Sequence, residues 1–334
     1  MNRQFLLAAR PTGMPKESDF RIVEAPEKTI GAGELLVKTA YWSVDPYMRG
    51  RITGVRTYAD PVLVGDLMVG GTVGQVRESG APEFRTGDYV VGYWGWQEYA
   101  TVKSREVQKL NPEIAPVSTA LGVLGMPGMT AYFGFLELCQ PKSGETVVVS
   151  GAAGAVGSAV GQIARIKGCR VVGIAGDETK VRHIIDDLGF DAALDYRRTD
   201  DYAAKLGELC PNGVDCYFDN VGGRISDHVF RTMNVFGRVS VCGQIALYNL
   251  ETPEPGPRLL PLVLTKQLRV EGFIVTRFAA RWPEGYAQMA AWIREGKLKY
   301  REQVVDGFEN IPRAFIAMLR GENVGKMLVR ASNG

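Results

Sequence analysis

The sequence predicts an α/β protein in which a doubly wound parallel sheet is joined to a small, partly open β-barrel. Three observations carry this expectation. The run Val147-Val148-Val149-Ser150 breaks into the turn Gly151-Ala152-Ala153-Gly154-Ala155-Val156-Gly157, which opens directly into a helix with one apolar face. From about Met129 onward, strand-like runs alternate with helical windows, the pattern of a parallel sheet covered on both faces. Before Tyr99, short β-like runs are separated by Gly, Pro and Asp, the rhythm of a small barrel.

In the amino-terminal part, residues 35–40, 69–73 and 89–93 read as strands. The parallel sheet is expected from strands at 146–150, 170–175, 192–195, 214–218, 237–241 and 269–275. Helices at 154–167, 179–188, 202–209 and 225–233 lie between them. The breaker cluster Pro253-Glu254-Pro255-Gly256-Pro257 marks an irregular loop. A helix at 283–295 follows; the run 300–308, the helix 311–319 and the strand 326–329 then resemble neither half clearly.

A chain of 334 residues suggests two domains, at about 150 residues each, with a cleft between them. Apolar residues at 46% and charged residues at 23% exclude a disordered or fibrous chain. A net charge of +2, from 39 basic and 37 acidic residues with no basic block, gives no field for a polyanion, so nucleic acid is not an expected partner. The apolar run 5–9 is shorter than a signal-peptide core and no apolar stretch approaches bilayer length; the expectation is a cytoplasmic protein without membrane contact. Cys139, Cys169, Cys210, Cys216 and Cys242 are odd in number and lack C-x-x-C pairing, which suits free thiols in a reducing compartment. His183 and His228 each fall in a helical window without a nearby cysteine, so no metal site is expected.

The glycine turn is the main chemical signal. A strand that stops at small residues lets the backbone approach a pyrophosphate, and the next helix aims its unpaired N–H groups at the phosphates. Gly154, Ala155, Val156 and Gly157 would form that cradle, although glycines at this G-x-x-G-x-x-G spacing also serve tight helix–strand packing without a ligand. An acidic residue at the end of the second strand would grip the ribose of NAD. Here that strand ends Ile174-Ala175-Gly176 before Asp177, so a small residue stands at the decisive place and a 2′-phosphate fits. Lys180 within the next turn and Tyr196 after the third strand would hold that phosphate. The competing reading makes Lys180 a solvated helix residue and Asp177 a helix N-cap. Asn220, after the fourth strand, either holds the nicotinamide end of a cofactor or is a turn residue before Gly222-Gly223.

Longer motifs add a family. Asp45-Pro46-Tyr47-Met48-Arg49-Gly50, Met126-Pro127-Gly128-Met129-Thr130-Ala131-Tyr132, Asp219-Asn220-Val221-Gly222-Gly223, Cys242-Gly243-Gln244 with Tyr248-Asn249, and Gly321-Glu322-Asn323-Val324-Gly325-Lys326 occur in that order along nearly the whole chain. Together they resemble the zinc-free alkene reductases of the medium-chain dehydrogenase/reductase superfamily, the group of the prostaglandin and bacterial curcumin reductases. In the zinc enzymes of the superfamily a cysteine ligand lies near where Val44-Asp45-Pro46 stands here. The resemblance implies a GroES-like barrel domain of residues 1–128 and 297–334 and a Rossmann domain of residues 129–296.

It also implies NADPH as cofactor, with Lys180 and Tyr196 on the 2′-phosphate. Asn220, Cys242, Gly243, Tyr248, Phe273, Ile274, Val275 and Asn323 would line the remainder of its site. Cys242 itself reads as a small buried hydrophobe without a chemical role. Without zinc to polarise a carbonyl, a tyrosine hydroxyl can stabilise the developing enolate, because its reference pKa of about 10 keeps it protonated at neutral pH. The motif match singles out Tyr248, and secondarily Tyr58, from 13 tyrosines. Tyr47, Tyr58, Tyr93 and Trp94 would line the substrate pocket, although aromatic clusters are also core. The expected activity is NADPH-dependent reduction of the C=C bond of an enone or enal. A quinone reductase on the same scaffold and a non-catalytic NADPH-binding protein are the alternatives. A homodimer is implied, with residues 270–275 as the edge strand that would meet a partner.

Overall fold

In a computed structural model that describes residues 1–27 and 29–332, the chain divides into two units, Met1–Gly122 with Glu302–Gly334, and Val123–Arg301. The last two residues of the expected 297–334 segment therefore lie outside the described residues.

The first unit begins with the antiparallel pair β1 (Asn2–Leu7) and β2 (Phe20–Ala25). A larger sheet follows from β3 (Glu34–Ser43), β4 (Thr72–Ser79), β5 (Tyr89–Gly92), β6 (Tyr99–Lys103) and β7 (Gln108–Leu110), with the short helix α1 (Tyr47–Arg51) after β3. The strand expected at 69–73 begins only at Thr72. Gly70 and Gly71 instead pack against side chains, and a Cβ on Gly70 would lie 3.0 Å from the Trp96 indole nitrogen.

The second unit opens with α2 (Met126–Leu136) and continues as β8 (Thr146–Ser150), α3 (Ala155–Ile166), β9 (Arg170–Ala175), α4 (Glu178–Arg182), β10 (Ala192–Asp195), α5 (Tyr202–Leu209), β11 (Val214–Asp219), α6 (Gly223–Thr232), β12 (Met233–Val241), α7 (Leu260–Thr265), β13 (Arg269–Gly272) and α8 (Trp282–Arg294). Its strands are all parallel, in the order β10-β9-β8-β11-β12-β13. That is third, second, first, fourth, fifth, sixth: the Rossmann order, whose direction reverses between β8 and β11. All five residues of β8 are buried, because a central parallel strand covered on both faces must be apolar or paired along its whole length.

Two expectations for this unit change. The helix expected over 179–188 becomes α4 followed by a π turn at His183–Asp187, closed by Leu188 N–H to His183 O at 3.2 Å. The strand expected over 269–275 stops at Gly272, whose partner Val241 ends β12, and the chain turns into a 3₁₀ segment from Val275.

Finally β14 (Glu302–Asp306), α9 (Ile311–Leu319) and β15 (Lys326–Arg330) return to the first unit, where β15 pairs with β3 and gives the order β14-β15-β3-β4-β5-β7. Phe315 of α9 packs edge-on against Trp96 at 5.9 Å and Phe20 at 6.2 Å. The partners of this segment are thus hundreds of residues upstream, which explains why its local pattern assigned it to neither half.

Candidate active site

In an open parallel sheet, ligands gather where the strand order reverses, at the carboxyl ends of the strands. Here that point falls between Ser150, the last residue of β8, and Asp219, the last of β11, and the Ser150 hydroxyl donates to Asp219 Oδ1 at 3.0 Å. The glycine turn leads out of β8. Gly151 takes a left-handed φ of +61°, and a Cβ on Gly157 would lie 2.9 Å from Ala152 Cα, so the turn closes only with glycine there. Gly154 caps α3 in extended conformation, with no side-chain cap and no acid in the first turn. The first helical bond runs from Ser158 N–H to Gly154 O at 3.0 Å. The N–H groups of Ala155, Val156 and Gly157 precede it and lie at the positive end of the helix dipole, which is the donor set a diphosphate requires.

At the end of β9 the structure resolves the two readings of Asp177 and Lys180. Asp177 is an N-cap, its Oδ1 accepting from Lys180 N–H at 2.9 Å. Lys180 is not a solvated residue, however. It is 8% exposed, with its ammonium 3.9 Å from Asp177 Oδ2. Tyr196 follows β10 and lays its ring across Gly176, so that any side chain at 176 would strike the phenol. With Tyr196 in this position, a side chain at 176 and the phenol would claim the same space, which favours the small residue found at the strand end. Arg197, stacked over the Tyr196 ring at 5.9 Å, and Arg198, 3.2 Å from Glu178, add positive charge that the sequence reading did not use.

On the other side of the reversal point, Asn220 donates its amide to Ser150 O at 2.7 Å, and its Cβ stands 3.4 Å from where a Cβ on Gly151 would be. The amide that was expected to face a cofactor thus has a protein acceptor that fixes its orientation. Cys242 and Gly243 both donate their N–H groups to Asp219 O, at 2.9 and 3.0 Å, which straps the end of β12 to the end of β11. The Cys242 thiol is pushed up to about 12, first by burial and then by the Asp219 charge, which keeps it protonated. Tyr248 follows a 3₁₀ turn at Ile245–Leu247, and its hydroxyl accepts from the Gln244 N–H at 3.2 Å. Its phenol is held above the usual range, chiefly by burial, against the lowering effect of the Gln244 N–H.

Not all of the remaining sequence candidates converge here. Phe273 turns its ring into the unit, filling the space left by Gly134 and meeting Phe218 edge-on at 6.4 Å, so only its backbone is left for a ligand. Ile274 is 43% exposed and Val275 is buried. Asn323 belongs to the first unit, where its amide donates to Gly325 O at 2.7 Å. In that unit burial, followed by the Asp45 charge and then the neighbouring Tyr93 and Tyr58, holds the Tyr47 phenol well above its ordinary value. Tyr58 and Tyr93 are 58% and 64% exposed. Trp94 departs from the expected pocket wall. It is buried among Leu35, Val37 and Val90, with its indole N–H donated to Thr39 Oγ1 at 2.8 Å, because the chain leaving β5 alternates and turns Tyr93 out as it turns Trp94 in.

Fold and site together define an oxidoreductase of the nucleotide-binding, two-unit type. Residues 3–110 match the model of an N-terminal domain of oxidoreductases, and residues 155–293 match that of the zinc-binding dehydrogenases. The chain is 46% identical over 336 residues to the NADPH-dependent curcumin reductase of Escherichia coli (strain K12), covering 99% of this chain and 97% of that protein. It is 44% identical over 321 residues to prostaglandin reductase 1 of Oryctolagus cuniculus, covering 94% and 89%. The crystal structure of CurA from Vibrio vulnificus in complex with NADPH superposes with a TM-score of 0.95 at 44% identity, covering 99% of this chain and all (100%) of that one. The chain belongs to the zinc-free reductases of the medium-chain dehydrogenase/reductase family. Among the described residues no group of three or more His, Cys, Asp or Glu is arranged to hold a metal ion, despite the name of the second matching model.

Proposed function

We propose that this chain reduces the carbon–carbon double bond of α,β-unsaturated ketones and aldehydes with NADPH. The observation that carries the reading is the Tyr248 hydroxyl, which accepts from Gln244 and finds no acceptor for its own proton among the described residues. A Cβ on Gly243 would lie 3.3 Å from both that hydroxyl and Asn220 O, so the phenol, Gly243 and Asn220 share one wall at the end of the sheet. When bound, NADPH supplies the hydride that adds to the β-carbon of the substrate. The N–H groups of Ala155, Val156 and Gly157 would hold its diphosphate, and Lys180 with Tyr196 its 2′-phosphate. Asn220, Cys242, Gly243 and the backbone of residues 273–275 would border its nicotinamide half.

Tyr248 would hydrogen-bond the substrate carbonyl oxygen as negative charge develops there and place a proton within reach of the enolate. A positioned acid of this kind contributes on the order of 10²–10⁴-fold. Within the first unit, Tyr47, Tyr58 and Tyr93 would bind substrate. The names and identities of the relatives support the same reading.

Five free cysteines support a reducing, cytoplasmic setting. No helix among the described residues is long and apolar enough to cross a membrane. A homodimer is supported by β13, an edge strand of the sheet with Val270 40% exposed, which presents unpaired backbone groups to a second copy.

The test is loss of NADPH absorbance with an enone, run beside NADH, with the product weighed by mass spectrometry. Gain of two hydrogens with the carbonyl retained, and preference for NADPH, is the expected result. Consumption of quinones alone would replace the reading with quinone reduction. Thermal stabilisation by NADPH without oxidation, for any acceptor, would replace it with binding.

A further inference from the structure

We propose that Asp219 and Gln244 are positioning residues for this reaction: the Asp219 carboxylate grips the Gln244 side chain, and that grip sets the Gln244 N–H against the Tyr248 hydroxyl so that the phenolic proton is left for the substrate. The inference rests on the reading of Tyr248 given above and adds to it two residues that act through that hydroxyl.

Asp219 is 2% exposed at the end of β11, and among the described residues no Lys, Arg or His lies within ion-pair distance of it. Its charge is met by neutral dipoles alone. Oδ1 accepts from the Ser150 hydroxyl at 3.0 Å, the Tyr217 hydroxyl at 2.8 Å, and the N–H groups of Val221 and Gly222 at 3.0 and 2.9 Å. Oδ2 accepts from the Ser226 hydroxyl at 2.7 Å and from Gln244 Nε2 at 3.0 Å. Six donors and no acceptor face the two oxygens, which uses both fully as acceptors.

Of these six, only the Gln244 amide comes from the segment that carries Tyr248. The same amide nitrogen donates to Gly243 O at 2.9 Å, and its oxygen packs on Gly222, where φ is +71° and a Cβ would collide with it. The glutamine side chain is thus clamped from two sides, and its backbone N–H points at Tyr248 Oη. A phenol oxygen that accepts there directs its proton elsewhere. Asp219 acts a second way, since its charge is among the causes that raise the Tyr248 phenol, after burial and Cys242.

The experiment compares Gln244→Leu and Asp219→Asn, each alone and combined with Tyr248→Phe. Gln244→Leu keeps the backbone N–H and the approximate volume but loses the grip. It is expected to lower kcat about tenfold, within the roughly 10²-fold cost of a 1 Å misplacement, while KM for NADPH changes less than about twofold. On the Tyr248→Phe background the same change is expected to cost less than about twofold, because there is no phenol left to position. In the enzyme without cofactor, tyrosine-ring ¹³C NMR should show the Tyr248 phenol titrating at lower pH in Asp219→Asn than in the parent. Equal losses on both backgrounds, or parental kcat in Gln244→Leu, overturn the proposal while Tyr248 stands. A Tyr248→Phe enzyme with parental kcat overturns the reading of Tyr248 itself. Gln244→Leu carries the test if Asp219→Asn does not fold.

Discussion

Two buried aspartates, one in each unit, meet the cost of burying a charge in opposite ways. Asp45 is 6% exposed and lies 3.2 Å from the ammonium of Lys326, itself 4% exposed, which also donates to Val44 O at 2.9 Å and Met327 O at 2.8 Å. The Ser43 hydroxyl completes its shell. Asp219 has no cation among the described residues and is held by hydroxyls, backbone N–H groups and one amide. An ion pair neutralises the charge and ties two distant stretches of chain together, whereas a cage of dipoles leaves a full negative charge whose field acts on its neighbours. The first arrangement serves the closure of a sheet. The second serves a site, because each donor that satisfies the carboxylate is itself oriented by it.

The comparison fails most visibly if the ion pair is broken. Lys326→Met removes the cation beside buried Asp45 and is expected to cost about 3–5 kcal/mol of unfolding free energy. Denaturant unfolding followed by the fluorescence of Trp42, Trp94 and Trp96, all in the first unit, would measure it. Adding Asp45→Asn should recover most of the loss, since the orphaned charge is then gone. Asp219→Asn orphans no cation among the described residues and, with its NH2 group at the Oδ2 position, sets the two donors there against a third. Its cost is expected to be smaller, about 1–3 kcal/mol. A loss as large as that of Lys326→Met would mean that the two carboxylates are not held differently.

Gly157→Ala tests the cradle beside Asp219 by pressing a methyl group into the turn, within 2.9 Å of Ala152 Cα. About 1–3 kcal/mol of strain is expected, read as a lower melting temperature and as weaker NADPH binding by calorimetry. Lys180→Met should weaken NADPH about tenfold (about 1.4 kcal/mol) while leaving NADH unchanged, as the ratio of the two kcat/KM values would show.

The smallest effect concerns a third carboxylate. Burial pushes the Glu145 carboxyl up, but the hydrogen bond from Arg238 and the Lys142 N–H at 2.8 Å outweigh it, so it lies below its ordinary value of 4.5. A depressed folded-state value contributes stability that is present above about pH 4.5 and lost as pH falls through the folded value. Glu145→Gln should therefore be less stable at pH 7, by about 1 kcal/mol, and should lose less than the parent on acidification below pH 4.5.

Much of the fold was legible because it is local. The buried strands β8, β9 and β11 read as apolar or β-branched runs, since a parallel strand covered on both faces has no solvent side to mark. The turn at 151–157 read as a cradle because glycine alone reaches its geometry. Elements whose ends depend on a neighbour were less legible. The strand β13 stops where β12 stops, and Trp94 is core because of how the chain leaves β5. In the candidate site the motif letters Asp219 and Gln244 were visible, yet nothing in their spacing told that one grips the other. Ser150, which joins β8 to that network, carried no signal beyond ending a strand.

The sequence by itself determined the Rossmann half, the glycine turn that opens it and the family motifs, because hydrophobic period, turn chemistry and residue order are written along the chain. Only the tertiary structure decided that Tyr196 lies across Gly176, that Lys326 neutralises Asp45, and that Asp219 is caged by dipoles which turn Gln244 onto Tyr248. Those outcomes depend on which buried groups meet across tens to hundreds of residues, and a buried polar group takes whatever partner the packing brings within hydrogen-bond distance.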